Sequence, residues 1–151
     1  MLRILYQLFT AFLGTLGFSL IFHVGRKHTI WASVGGVIAW GVFLLCNEAL
    51  GISVLPSTIL SAASGQVYAE FMARLCKAPT TVFSIPAVVP LIPGSSLYYT
   101  MYAAVFRDWP GVKMYGMKTL EGTLGISVGL CLVSATLFVI TKLARQRAMK
   151  K

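Results

Sequence analysis

The chain has 151 residues and a net charge of +9, yet only 11% of its residues are charged. A soluble domain carries about a quarter charged residues, so this composition excludes an ordinary soluble protein. The basic residues lie at the ends of long apolar runs, and this placement favours contact with a membrane surface over binding of nucleic acid. The composition therefore indicates a membrane protein without a nucleic-acid partner.

Five charge-free runs follow one another along the chain, and each reaches the roughly 20 residues that cross ~30 Å of hydrocarbon. We predict an all-α, polytopic membrane protein with five transmembrane helices in a single membrane domain. This domain covers residues 1–151, with helices at about 4–25, 29–47, 52–72, 79–106 and 120–141, a hydrophilic loop at 107–122 and a basic cytoplasmic tail at 142–151.

The distribution of Lys and Arg predicts the orientation of this domain. With five spans, nine basic residues share the side of the C-terminus, whereas Arg3, Arg107, Lys113 and Lys118 lie on the other side. Cytoplasmic segments of membrane proteins carry the excess of Lys and Arg. The C-terminus is therefore predicted in the cytoplasm and the N-terminus outside.

The third run carries polar residues through an apolar span. Ser57, Ser61, Ser64 and Tyr68 are spaced four, three and four apart, which puts them on one face of a helix. Serines in membrane helices commonly serve close packing and bond to backbone carbonyls, but a stripe of this length also suits a hydrophilic pathway. Both interpretations stay open. Gln66 needs a partner, because an unpaired amide in lipid is costly.

Glu70 invites a functional interpretation, because an ionisable group inside a membrane is a functional candidate. It lies four residues before Arg74, so an interfacial ion pair between the two is the alternative. The three cysteines have no C-x-x-C spacing, and the sequence shows no nucleophile–base pair and no metal cluster. We therefore predict that the protein is not an enzyme and has no metal and no cofactor.

The fourth run is too long for a straight span. Its 29 residues would extend ~43 Å as a helix, against a hydrocarbon core of ~30 Å. Pro86, Pro90 and Pro93 interrupt the run, and Gly94 then gives backbone freedom before a serine that can cap a new helix. We predict two half-helices, about 80–92 and 95–106, that meet near mid-membrane at a break near 90–95.

The predicted break suits a small solute that bears a carboxylate. The second half-helix directs free N–H groups and a partial positive charge at the membrane centre, which favours an anion. The carbonyls of Val82, Pro86 and Val89, freed by the prolines, can bind an ammonium group or a cation. Irregular backbone at this depth occurs where it is buried in protein or lines a cavity, and a kinked helix without a ligand is the alternative. The predicted substrate-binding residues are Pro90, Pro93, Gly94, Ser95 and Ser96, with Ser61, Ser64 and Tyr98 as neighbours.

The fifth run carries three glycines on one face. Gly122, Gly125 and Gly129 are three and four residues apart, and such a seam of small residues allows two helices to approach closely. We predict a helix-packing role, with the partner helix in this chain or in another. The seam is our candidate for contact with a partner subunit.

The segment "FSIPAVVPLIPGSSLYYTMYAAV", preceded by the serine-rich third run and by "ARLCKAPTTV", resembles the small subunit of the bacterial threonine/serine exporter family. The resemblance covers about residues 55–106 and centres on the P-x-x-P-G-S core. The small subunit corresponds to the C-terminal membrane half of the single-chain exporters. In two-component members, a larger subunit with a cytoplasmic N-terminal portion and its own membrane helices supplies the other half.

This resemblance implies a secondary transporter in the bacterial cell membrane that exports threonine or serine by proton antiport, with Glu70 as the coupling candidate. Related pairs are associated with dicarboxylate export, so a succinate-like substrate stays open. A non-transporting membrane partner that stabilises the larger subunit is a further alternative. Five spans put the two chain ends on opposite sides, so a second five-helix unit joined to this one would be inverted, as in many transporters. The larger subunit is therefore expected to have five membrane helices in the opposite orientation.

Overall fold

The computed structural model describes residues 2–149, and these residues form six α-helices. They are α1 (Leu2–Ile21), α2 (Arg26–Leu44), α3 (Val54–Cys76), α4 (Thr81–Val88), α5 (Gly94–Val105) and α6 (Trp109–Met149). A π-helical segment, Leu45–Ala49, extends α2, and a 3-10 turn, Val89–Leu91, follows α4. Lys150 and Lys151, the last two charges of the predicted tail, lie outside the described residues, as does Met1.

The helical structure and its long apolar helices confirm the predicted fold class, an all-α membrane protein. Three helical segments are long and apolar enough to cross a membrane: Leu2–Ile21, Lys27–Ala49 and Trp109–Leu143. A fourth span results if the bent pair α4 and α5 counts as one crossing. Because α3 is not among these segments, the count of five spans stays a prediction.

α3 lies at the centre of the helix bundle and packs against α2, α4 and α6. These neighbours bury polar side chains of α3, including Ser57, Ser61 and Gln66. Ala32 of α2 and Phe83 of α4 belong to the apolar cluster around the other half of α3. Polar residues of membrane helices face the interior of a bundle, and the outer face of α3 exposes apolar side chains such as Leu60, Val67 and Phe71.

α1 and α6 expose apolar surface along most of their length. Large apolar side chains are exposed along both helices, for example Leu5, Phe9 and Leu13 on α1 and Leu132 and Phe138 on α6. Soluble monomers rarely expose contiguous apolar surface of this extent, which marks contact with lipid or with other protein chains. The surface therefore agrees with a multi-pass membrane protein.

α6 begins earlier and ends later than predicted. The predicted loop at 107–122 is helical from Trp109 onwards, and the helix predicted at 120–141 continues to Met149. Most of the predicted tail is thus a continuation of α6, since residues 142–149 are helical.

The early start of α6 has a local cause. Arg107, with a φ of 58°, turns the chain after α5. Asp108 then accepts the backbone N–H of Gly111 at 3.2 Å, which caps the new helix. Because an acid before a helix and a proline in its first turn are both helix-start signals, "DWPG" at 108–111 marks the beginning of α6.

Candidate functional site

The fourth charge-free run forms two short helices that are bent by 53° relative to each other. Pro86 is buried inside α4, Pro90 lies in the 3-10 turn, and Pro93 directly precedes α5. Each proline lacks an N–H group and cannot continue the α-helical bonding pattern. Residues 89–93 therefore form an irregular segment between two helices, and we call this segment together with the first turn of α5 the break.

Two of the carbonyls that were expected to be free have backbone partners. The N–H of Val89 donates to the oxygen of Pro86, and the N–H of Ile92 donates to the oxygen of Val89 at 3.3 Å. In a 3-10 turn, a carbonyl oxygen accepts the N–H group three residues later instead of four residues later. A carbonyl that a proline leaves unpaired can therefore accept the N–H group of the residue directly before that proline. The expectation of free carbonyls at Pro86 and Val89 was wrong for this reason.

The first turn of α5 is open on one side. Gly94 and Ser95 are exposed and Ser96 is half-buried, and a Cβ atom added to Gly94 would meet no described atom within 4 Å. Pro93 occupies the N-cap position, so the expectation that Ser95 or Ser96 caps the helix was wrong. The N–H of Leu97 donates to the oxygen of Pro93 at 3.0 Å. The N–H groups of Ser95 and Ser96 have no backbone partner among residues 2–149, as is usual for the first turn of a helix.

Tyr98 belongs to an aromatic face on α5. Its side chain is 62% exposed, and its ring centroid lies 5.4 Å from that of Tyr99 and 6.4 Å from that of Tyr102. Tyr102 continues the face to Phe106 at 4.6 Å. The face is exposed like the first turn of α5, so both lie on surface that this chain leaves uncovered.

The serine stripe of α3 is engaged in bonds to the backbone. Ser61 donates to the carbonyl oxygen of Ala39 on α2, and Ser64 donates to that of Ser61 at 2.7 Å. Tyr68 donates to the oxygen of Trp31 at 2.8 Å. The structure therefore gives Ser61 and Ser64 packing contacts in the interior, and it does not bring their hydroxyl hydrogens to the exposed first turn of α5.

Gln66 joins three helices through its amide group. Its Nε2 atom donates to Ser134 Oγ on α6 at 3.1 Å, and its Oε1 atom accepts from Ser84 Oγ on α4 at 2.5 Å. The side chain is buried, so these bonds provide the partners that a buried amide requires. The sequence indicated the need for partners but not their identity, since both lie far along the chain.

Glu70 lines an open groove of about 750 Å³ between α3 and α6. Arg74 and Lys142 line the same groove, and Ser134, the partner of Gln66, lies in it as well. The groove thus combines a carboxylate, two cations and the edge of the buried amide network. Glu70 is half-buried in this groove, beside the buried amide network.

A second cavity, of about 320 Å³, lies on the α1 side of the break. We call it the α1 cavity, and it is lined by Gln7, Thr10, Ala11, Gly14, Thr15, Trp40, Val89 and Pro90. Pro90 is thus a predicted site residue that borders a cavity, whereas the residues of α1 that line it were not predicted as site residues. Their signal was present in the first run, because Gln7, Thr10 and Gly14 are three and four apart and share one helical face.

The glycine seam of α6 packs inside this chain. A Cβ atom at Gly125 would lie 2.7 Å from Thr58 Cβ, and one at Gly129 would lie 2.6 Å from the oxygen of Ile59. A Cβ atom at Gly122 would lie 3.1 Å from Pro93 Cβ, so this glycine faces the break. The close approach therefore joins α6 to α3 and to the break, and the seam is not free for a partner subunit.

One comparison with known proteins identifies a family. A family model described as "Threonine/Serine exporter, ThrE" matches residues 7–136, which include the break, the α1 cavity, Glu70 and the glycine seam. No solved structure is a significant match for the chain.

Proposed function

Because the chain belongs to the threonine/serine exporter family, we propose that it is one membrane half of a secondary transporter that exports threonine or serine in exchange for protons. The observation that carries this proposal is the break, where two bent helices meet at an exposed first helical turn. Discontinuous helices of this kind form the substrate sites of many secondary transporters. The family is one of transporters, so a catalytic role has no support.

The substrate carboxylate would bind at the first turn of α5. The unpaired N–H groups of Ser95 and Ser96 and the positive end of the helix favour an anion there. Gly94 allows close approach, because no side chain covers the backbone at this position. Pro90 and Pro93 fix the irregular geometry, and Tyr98 would contribute from the neighbouring turn.

A larger membrane subunit of the same family would cover the break. Substrate sites of transporters are enclosed by protein, whereas Gly94, Ser95 and Tyr98 are exposed in this chain. We expect the partner to have five membrane helices in the opposite orientation, with the break between the two halves. The aromatic face of α5 is a better candidate for the contact than the glycine seam, which is occupied by α3.

Proton coupling would use Glu70. Its groove also contains Arg74 and Lys142, and carboxylates inside transporters serve as proton carriers. The excess of basic residues supports a bacterial cell-membrane protein with its C-terminus in the cytoplasm and its N-terminus outside. In this orientation the groove would open towards the cytoplasm, where an exported solute enters.

Efflux of labelled threonine, serine and succinate tests the proposal. Cells that express this chain together with its larger partner should release labelled threonine or serine, and omission of either chain should abolish the release. Release of succinate alone would establish a dicarboxylate exporter. Undiminished export by the larger subunit without this chain would mean that this chain does not transport, and robust export by this chain alone in liposomes would contradict the two-half architecture.

A further inference from the structure

A further pocket, which the proposed transport site does not use, lies at the turns between α1 and α2 and between α3 and α4. Its volume is about 460 Å³, and its lining comes from the segments 22–28 and 77–86. We call it the turn pocket. Both turns belong to the side of the chain with the excess of Lys and Arg. Because the turns connect the ends of membrane helices, the pocket is expected at the level of the lipid headgroups.

The polar groups of the turn pocket attract an anion. Lys77 and Thr81 line it and are exposed, and their ammonium and hydroxyl groups are hydrogen-bond donors. The backbone N–H of Thr81, at the start of α4, has no backbone partner among residues 2–149. No Asp or Glu of the described chain lines this pocket, whereas the groove between α3 and α6 contains Glu70 beside its cations. The turn pocket thus combines donors and positive charge without an opposing carboxylate.

The ring of His23 adds a further nitrogen atom to the exposed lining. Its Nδ1 atom lies 3.0 Å from the carbonyl oxygen of Ile21. A carbonyl oxygen can only accept, so Nδ1 carries the hydrogen atom of this bond. The other ring nitrogen, Nε2, can then donate to an anion when the ring is protonated.

His23 and Lys77 also share an unusual backbone conformation, with φ of 54° and 50°. Glycine is the usual residue at left-handed positions after a helix, because other residues are strained there. Arg107 is the third non-glycine residue of this kind in the described chain, and it lies outside the pocket. Strained residues concentrate at binding and catalytic sites. Two strained positions with nitrogen-bearing side chains at one pocket therefore support a binding role for these side chains.

Part of the lining is apolar and lies on the outside of the bundle. Phe22 and Ile85 line the pocket and are exposed, and Val82 beside them is half-buried. A soluble anion would gain nothing from this apolar surface, whereas a lipid acyl chain would remove it from contact with polar groups. Basic pockets between membrane helices on the cytoplasmic side bind phospholipid headgroups.

We propose that the turn pocket binds an anionic phospholipid of the adjacent leaflet, with the lipid phosphate held by Lys77, His23 and Thr81. The acyl chains lie against Phe22 and Ile85. Charge selects the class of lipid, because an anionic headgroup such as phosphatidylglycerol meets no negative group in the lining, whereas the cation of phosphatidylcholine would face Lys77. The proposal depends on the membrane location of the chain but not on the exported solute.

Two of the left-handed positions provide a matched pair of variants. Lys77→Gly and Arg107→Gly each remove one positive charge and replace a strained residue with glycine, so neither should reduce the amount of folded protein. Only Lys77 lines the turn pocket. Lys77→Gly should weaken the binding of phosphatidylglycerol about fivefold, which corresponds to the ~1 kcal/mol that one basic residue contributes near an anionic lipid surface. Arg107→Gly should leave this binding unchanged within about twofold.

Thr81 provides a second pair that keeps Lys77 in place. Thr81→Asp introduces a carboxylate at the first residue of α4, where a negative charge suits the positive end of the helix. The helix should therefore persist while the lipid phosphate is repelled, and binding should again fall about fivefold. Thr81→Asn has the shape of the aspartate without its charge and should bind phosphatidylglycerol like the unchanged chain.

Native mass spectrometry of the full chain in mild detergent measures the binding of short-chain phosphatidylglycerol, short-chain phosphatidylcholine and inorganic phosphate. We expect preferential binding of phosphatidylglycerol and no displacement of it by millimolar phosphate. Equal binding of the two lipids would overturn the proposal, as would equal binding of phosphatidylglycerol by Lys77→Gly and Arg107→Gly or by Thr81→Asp and Thr81→Asn. Displacement by inorganic phosphate would assign the pocket to a soluble anion and overturn the assignment to a lipid.

Discussion

The seam between α3 and α6 and the break between α4 and α5 both depend on glycine, but in opposite environments. In the seam, Cβ atoms at Gly125 and Gly129 would lie within 2.7 Å of α3. In the break, a Cβ atom at Gly94 would meet no described atom within 4 Å. The seam glycines are therefore explained by packing inside the chain, whereas none of residues 2–149 fills the space beside Gly94.

This difference separates the positions that maintain the fold from those that are available for function. A substitution in the seam forces atoms of two helices apart, and well-packed interiors do not tolerate such insertions. A Cβ atom at Gly94 meets no described atom, so we expect a substitution there to act on what approaches the break. Substitutions in the seam are therefore expected to reduce the amount of folded protein, whereas substitutions in the break are expected to reduce transport.

The largest effect is expected in the seam. Gly129→Leu would place a side chain against the backbone oxygen of Ile59, and overpacking costs about 1–3 kcal/mol even where neighbours can move. We expect little monodisperse protein by size-exclusion chromatography in mild detergent. Gly116→Leu on the same helix is the control, because its Cβ has only an ordinary 3.6 Å contact with a methyl group of Thr100. Equal yields of both variants would contradict the packing explanation.

The second effect is expected at the break. Gly94→Leu should leave the amount of folded protein unchanged and should weaken the apparent affinity of export for serine at least tenfold, which corresponds to ~1.4 kcal/mol of binding free energy. The reason is that leucine would cover the backbone N–H groups of the first turn of α5. Labelled efflux and chromatography on the same cells measure both quantities, and export with an unchanged apparent affinity would mean that the break is only structural.

A smaller effect is expected in the interior, at Gln66. Gln66→Leu leaves the hydroxyls of Ser84 and Ser134 without their amide partner. Unpaired buried groups cost about 1–3 kcal/mol, whereas polar contacts between membrane helices average about 0.6 kcal/mol, so we expect a loss of about 1 kcal/mol. Thermal unfolding in detergent measures it. Combining this change with Ser134→Ala should cost less than the sum of the single changes, and strict additivity would exclude the bond.

The smallest effect at a fixed pH is expected at Glu70. Glu70→Gln should leave folding intact but flatten the dependence of serine export on pH, because an amide cannot carry a proton through the transport cycle. Glu121→Gln is the matched control, since Glu121 lies at the opposite end of the predicted last span and outside the groove. Efflux across a range of pH distinguishes the two, and a normal pH profile for Glu70→Gln would remove this residue from the mechanism.

Sequence alone located the features that depend on local backbone chemistry. The spacing of Pro86, Pro90 and Pro93 and the following Gly94 pointed to the segment where the structure has its bend, because proline acts on its own helix. The capping residue Asp108 before α6 was also a local signal, but it belongs to the segment that was predicted as a loop.

Features that depend on distant parts of the chain could not be predicted in the same way. Ser61 finds its acceptor, Ala39, on another helix, and Gln66 bonds to residues of two further helices. The α1 cavity combines residues of the first run with Pro90, more than seventy positions later. Periodicity shows which residues share a face, but the helix that this face meets is decided by the packing of the whole bundle.

The central claim is that the break faces a solute pathway, and the reactivity of a cysteine at position 94 tests it most directly. Gly94→Cys would be introduced into a chain whose Cys46, Cys76 and Cys131 are replaced by alanine, together with the larger partner. We expect a small water-soluble thiol reagent to modify this cysteine, and millimolar serine to slow the modification. Modification by a lipid-soluble reagent alone, or a rate that serine does not change, would contradict the account.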